Sequence, residues 1–327
     1  MPAPRFQRAH FSGKNNSMLS RVPLTAVLSL AVMASCSASP SAKAPPKSEP
    51  KVAVATPKAV PPEPAGTEIR TDFWLSRDPQ QGAVVIGRAP SNTSAVSFNG
   101  SPIPLDREGF FIFGFDRDAE NSASLTATLA NGKTVERYLP VQPGQWKIEH
   151  VKANPTGGAG TTEEFKARRG PELAQINAAR AKKVQSEGWR QEFVWPIQYK
   201  SVAGGRISGF FGSQRIYNGH PGSYHGGMDI AAPSGTIYTA PADGVVVLAA
   251  KSPFTLEGYL LMIDHGMGLN SAFLHSSALL VSEGERVKQG QPLGKVGMTG
   301  RASGPHLHWG LKWNAARVDP LKLVKPL

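Results

Sequence analysis

Two stretches near the C-terminus carry residues that could do chemistry together: SYHGGMDIAAP, with His225 and Asp229, and GPHLHWG, with His306 and His308. In an extended segment successive side chains point to opposite faces, so His306 and His308 share one face and Leu307 takes the other. Such a pair either chelates or consists of two neutral imidazoles satisfied by hydrogen bonds, and the residues alone leave both open. His225 and Asp229 are separated by three residues, two of them glycines, and glycine lets the backbone bend until both side chains face one point. Together with His308 they make two imidazoles and one carboxylate, a composition of catalytic zinc sites that keep a fourth position for water. Taken without other motifs, His225 and Asp229 read equally well as a turn with a capping aspartate. Six of the eight histidines lie between His220 and His308, which makes a shared site worth testing.

The elements that must position these residues are mainly β. From Phe193 onward, RISGFFGS, TIYTAPADGVVVLAA, YLLMIDHG, NSAFLHSS, ERVKQGQPLGKVG and HLHWGLK read as strands among glycines, with no helix of useful length. Residues 67–151 read as a small antiparallel β-sandwich, with Asn99-Gly100 and Asn131-Gly132 as tight hairpin turns. No cluster of His, Cys or paired carboxylates marks a site there, so this region is expected to bind or to space. Residues 152–192 form a basic linker whose pattern predicts a connector helix from Pro171 to Ser186. Pro171 opens it, Leu173, Ile176 and Val184 form its apolar stripe, and Gly188 closes it.

HGGMD, AFLHS and GPHLHWG, in that order within the C-terminal third, resemble the LytM/lysostaphin-type zinc metallopeptidases, which cut peptide bonds in bacterial peptidoglycan. ISGFFGSQR, DIAAPSGT, APADGVV and TGRASGPHLHWG are similar as well, and the resemblance covers residues 193–327. It implies an all-β metallopeptidase domain of the duplicated hybrid motif type, holding one Zn2+ per chain. Residue by residue, it makes His225, Asp229 and His308 the metal ligands and His275 and His306 the two non-ligand histidines of the site. His306 is then the expected general base and His275 the orienting or oxyanion partner. Ser276 follows His275 where many relatives have leucine, His220 is an additional loop histidine, and His265 in IDHGMG matches a structural turn.

Some members of the family have lost ligands and act as activators of cell-wall amidases. All five positions are filled here, which favours catalysis, with a silent or occluded amidase-activating regulator as the alternative. APADGVV with VKQGQPLGKVG is also similar to biotinyl and lipoyl carrier domains, but no Met-Lys-Met frame occupies the equivalent turns.

Residues 1–36 read as an export leader, with Met18 as a second candidate start and an apolar core from Val22 to Met33. That core is shorter than the ~20 residues a spanning helix needs. Cys36, the single cysteine, follows Met33-Ala34-Ser35 in a pattern that resembles a bacterial lipobox, so lipidation at Cys36 and a membrane anchor are expected. One cysteine excludes an intramolecular disulfide. Residues 37–66, rich in Pro, Ala and Lys, read as an extended tether. The net charge of +12 favours anionic surroundings. For an exported chain these are cell wall and lipid headgroups, not nucleic acid.

The resemblance and the leader together predict a periplasmic endopeptidase, lipid-anchored at the outer membrane. Its expected substrate is the peptide cross-link of peptidoglycan between D-Ala and meso-diaminopimelate, with a cell-wall amidase or divisome protein as a further expected partner.

Overall fold

The computed structural model describes residues 69–153 and 162–327. The leader, Cys36 and the tether therefore lie outside the described residues. Among the described residues no helix is long and apolar enough to cross a membrane.

The first strands form two antiparallel sheets. In one, Trp74–Leu75, Val84–Arg88 and Phe110–Gly114 lie side by side; in the other the order is Ser101–Ile103, Thr93–Phe98, Ser122–Leu129, Thr134–Pro140. Period-two alternation explains the packing: on Ser122–Leu129 the residues Ala123, Leu125 and Ala127 turn inward while their neighbours face out. Asn99 and Gly100 both take positive φ, as the tight turn between Thr93–Phe98 and Ser101–Ile103 demands.

The larger sheet has the order Arg286–Val287, Gly244–Ala249, Tyr259–Asp264, Leu269–Ser276, His306–Trp313, Met228–Ala231, Arg206–Gly209. Ala316–Val318 pairs with the second half of His306–Trp313. Every pairing is antiparallel, and the sheet sets Met228–Ala231 beside His306–Trp313 although the two are far apart in sequence. One face is closed by core. Leu307, Trp309 and Leu311 are fully buried there, with Trp309 stacked on Phe273 and Phe273 on Tyr238. The same core runs into the first sheets, where Trp313 meets Phe98 edge to face. Ile148–Val151 adds a parallel pairing to Gln214–Tyr217, the strand that leads toward His225.

The α-helix runs from Glu163 to Ala181, not from Pro171 to Ser186. Its start is set by Thr162, whose hydroxyl accepts from the Phe165 N–H, and by Glu163 and Glu164 at the positive end of the helix dipole. Pro171 lies inside the helix, where it lacks an N–H to donate. Tertiary contacts hold the helix across that gap. Arg169 makes a bidentate ion pair with Glu257 at 2.6 and 2.7 Å, and Glu172 accepts from both the N–H and the hydroxyl of Thr255. Ile176 and Ala179 bury against Val247, Leu248, Leu260 and Met262. Leu173, expected on this apolar stripe, is instead exposed, and Val184 packs from beyond the helix end. Gly188 sits further on, in a short 3-10 turn from Gly188 to Arg190. The helix thus lies over the second face of the large sheet, covering Gly244–Ala249 and Tyr259–Asp264 and leaving His306–Trp313 open.

Candidate metal centre

Strand register brings the candidate ligands together. Asp229 lies directly opposite His308 across the Met228–Ala231 and His306–Trp313 pairing, so their side chains leave the same face at the closest cross-strand spacing. His225 precedes the strand, and its loop folds back so that its Nδ1–H donates to the Phe210 carbonyl at 3.0 Å. That bond turns Nε2 toward the other two residues, 3.1 Å from Asp229 Oδ1 and 3.1 Å from His308 Nδ1. His308 Nδ1 is 2.8 Å from the same carboxylate oxygen.

Two imidazole nitrogens and one carboxylate oxygen therefore meet at one point, and among the described residues this is the one such group able to hold a metal ion. A tetrahedral ion with bonds of about 2.0–2.1 Å needs ligand atoms about 3.3 Å apart, so a spread of a few tenths of an ångström accommodates it. The close backbone approach depends on glycine. A Cβ on Gly227 would stand 2.6 Å from His308 Nε2, and one on Gly209 would stand 2.5 Å from Asp229 Oδ2.

The electrostatics suit metal ligation. Burial alone would raise the pKa of Asp229, but hydrogen bonds to His225 and His308, and their charge, hold it far below the usual carboxylate range. Asp229 is thus an anion at neutral pH. Burial lowers the pKa of His308 against the pull of Asp229, which favours the neutral imidazole. At His225 burial works the same way, yet the hydrogen bond and charge of Asp229 outweigh it and raise the pKa. A cation at this point would replace the proton that Asp229 attracts.

His275 and His306 flank the three ligands, with ring centroids 4.8 Å apart. His306 Nδ1 donates to the Gly304 carbonyl at 2.8 Å, and its Nε2 faces the cluster, 3.8 Å from Asp229 Oδ1. His275 is buried and takes a positive φ of 65° at the end of Leu269–Ser276. Its N–H donates to the Glu257 carbonyl and its Nδ1–H to the Thr299 carbonyl at 2.9 Å. Burial lowers its pKa, opposed by that Thr299 contact, so the ring is neutral.

All five histidine and aspartate positions singled out in the sequence thus converge, whereas Cys36 lies outside the described residues. His220 is exposed and stands in a two-residue strand, paired with Tyr217, instead of in an irregular loop. It takes no part in the metal group. His265 is wholly buried, bonded to the Asp243 carbonyl and the Ser271 hydroxyl. Ser276 hydrogen-bonds the Tyr238 hydroxyl at 2.8 Å behind the site. Sequence reasoning missed the carbonyls of Phe210, Thr299 and Gly304, which fix the tautomer of each ring. Backbone acceptors carry no residue-type signal by which they could have been found.

A groove of about 460 Å³ leaves the cluster along the open face of the sheet. It starts at His308, passes Gly310 and Leu274, and is walled by Ile176 and Arg180 of the helix and by Tyr224 and Arg317 opposite.

The sequence profile of peptidase family M23 matches residues 223–320, the span that holds all five residues. The peptidoglycan DD-endopeptidase ShyA of Vibrio cholerae is 37% identical over 126 residues, covering 37% of this chain and 28% of that protein. The DD-carboxypeptidase/endopeptidase Mpg of Neisseria meningitidis is 38% identical over 121 residues, covering 37% of this chain and 27% of that one. This chain therefore spans little more than a quarter of the length of these relatives. A crystal structure described as a peptidase M23 from Pseudomonas aeruginosa superposes with a TM-score of 0.57 at 27% identity, over 76% of this chain and 96% of that one.

Proposed function

We propose, from the peptidase family M23 domain that this chain carries at its C-terminal end, that the protein is a zinc-dependent endopeptidase hydrolysing the peptide cross-links of bacterial peptidoglycan. The observation that carries this reading is the convergence of His225 Nε2, Asp229 Oδ1 and His308 Nδ1 within 3.1 Å of one another, with two further histidines beside them. Two nitrogens and one carboxylate oxygen are a borderline donor set, suited to one Zn2+ per chain with a position left for substrate or water.

Zinc bound there supplies Lewis-acid polarisation and brings the pKa of water toward about 7. His306 holds its Nδ1 proton on Gly304 and so presents Nε2 as the base that takes a proton from the attacking water. The same nitrogen then returns the proton to the leaving amine. His275, fixed by Thr299 and Glu257, orients the scissile carbonyl and steadies the charge that develops on its oxygen. The open face leaves room for an extended peptide beside His308.

The relatives named peptidoglycan DD-endopeptidases favour the bond between D-Ala and meso-diaminopimelate. The leader and Cys36 favour a periplasmic protein, lipid-anchored at the outer membrane, with residues 37–66 as a spacer and residues 67–151 and 152–192 as accessory domain and linker ahead of the peptidase. A cell-wall amidase or divisome protein is the partner class that goes with that place. No observation favours the silent-regulator alternative, since no ligand position is vacated by sequence.

The test is digestion of purified peptidoglycan by zinc-loaded protein, with fragments identified by mass spectrometry. New uncrosslinked stem peptides are expected, and Asp229→Ala is expected to yield none. Intact cross-links with the zinc-loaded wild type would overturn the reading.

A further inference from the structure

Past His308 the open groove gathers three cations, with Glu257 and Asp116 as the carboxylates whose charge reaches them. On His306–Trp313 the alternation that puts His308 outward also puts Gly310 and Lys312 outward, and Lys312 lines the groove with Arg180 and Arg317. Lys312 is four residues from His308, about 13 Å along an extended strand. In register it lies directly opposite Arg317, a like-charge cross-strand pair that is unfavourable by itself. Arg180 reaches the same groove from the last turn of the helix, whose place is fixed by the Arg169–Glu257 pair.

The neighbouring carboxylates are already engaged. Glu257 holds Arg169, and Asp116 accepts from the Tyr224 hydroxyl and the Arg317 N–H. The guanidinium of Arg317 lies over the Tyr224 ring, 5.7 Å from its centroid. Among the described residues neither Lys312, Arg180 nor Arg317 has an acidic group within ion-pair distance. Burial, then Arg180 and Arg317, lower the pKa of the Lys312 ammonium to about 8, as expected of a cation held beside cations. Asn270, opposite Lys312 on the other side, keeps a buried Oδ1 without a hydrogen-bond partner. This end of the groove is thus polar and unsatisfied, although its floor nearer His308 is Leu274 and Ala272.

We propose that Lys312, Arg180 and Arg317 form an anion-accepting subsite that binds a free carboxylate of the peptide substrate, about 13 Å from the scissile bond, and so selects cross-links with unamidated stems. The inference rests on the endopeptidase reading above and names what that site prefers. Three converging donors make strong charge-assisted hydrogen bonds to one carboxylate, and removing its charge by amidation leaves them with only a neutral carbonyl to bind. Arg180 lies outside residues 223–320, so this preference belongs to the chain's own helix and not to the matched domain alone.

The experiment compares two forms of one D-Ala–meso-diaminopimelate cross-linked peptide dimer, with free and with amidated stem carboxylates, using the full chain. Wild type is expected to show kcat/KM about tenfold higher for the free form, the difference residing in KM and shrinking at high salt. Lys312→Gln is expected to cut that ratio to about threefold, and Lys312→Gln with Arg180→Gln to bring it near one. Arg317→Gln supplies a separate variant should the double change fail to fold. A wild-type ratio of one, or a ratio that the variants leave intact, overturns the subsite while leaving the endopeptidase standing. Hydrolysis of neither peptide by wild type overturns both.

Discussion

The two faces of the strand His306–Trp313 are made from alternate residues of a single run and do opposite things. Leu307, Trp309, Leu311 and Trp313 close the core, each at most 6% exposed, while His306, His308, Gly310 and Lys312 alternate onto the other face, where the last three line the groove. The closed face gains from every apolar contact and tolerates no polar atom without a partner. The open face holds imidazoles oriented by Asp229 and the Gly304 carbonyl, and the Lys312 ammonium. A one-residue register slip would exchange the two, which ties chemistry to the packing beneath it. The lesson is that Trp309 and Phe273 specify the site as surely as its ligands do, by fixing the register in which Asp229 meets His308.

Predictions that break this comparison would mix the two kinds of effect. The largest expected effect is on the open face: His306→Gln should lower kcat by roughly 10²–10⁴-fold. The thermal midpoint and zinc stoichiometry should stay near wild type. Loss of folding in this variant would mean that the open face carries stability after all. On the closed face, Trp309→Ala should cost about 3–5 kcal/mol of unfolding free energy. It leaves a void beside Phe273 and removes the Trp309 N–H bond to the Ser271 hydroxyl, which keeps only its bond to His265. Denaturant titration checks this, and an effect below about 1 kcal/mol would show that the stack contributes little.

The smallest expected effect sharpens the contrast between a structural histidine and the site histidines. Burial lowers the pKa of His265 to about 4, against 6.5 for the free group. As pH falls through 6.5 the unfolded chain takes a proton that the native ring refuses, so stability drops between pH 6.5 and pH 4 and then levels. The loss is about 3 kcal/mol from this residue. Comparing unfolding free energies at pH 7.5 and pH 4.5 in wild type and His265→Gln isolates it. Equal pH dependence in both proteins would remove His265 from the account.

Much of the site was legible because it obeys short-range rules. Period-two alternation places His306 and His308 on one face, and two glycines let His225 and Asp229 turn to a common point. His275 was legible by its motif but not by its geometry, since its position depends on a left-handed backbone and on the Glu257 and Thr299 carbonyls from remote loops. The helix was misplaced because Pro171 carries a strong start signal. Thr162, Glu163 and Glu164 carry a better cap, and the Arg169–Glu257 contact that supports the first half spans 88 residues. Lys312 could have been found by extending the alternation two steps past His308. Arg180 could not, because nothing local says that the helix turns that residue toward the groove.

The clamp between Arg169 and Glu257 has a consequence for how such a chain diversifies. The candidate metal ligands lie within residues 223–320, whereas one wall of the groove is written in a helix that precedes them and is held by a bidentate ion pair, the Glu172–Thr255 hydrogen bonds and a small apolar seam. On the endopeptidase reading, substrate choice and bond cleavage are therefore inherited on separable stretches of polypeptide. Exchanging the helix would change that wall while the strands that carry Asp229 and His308 remain as they are.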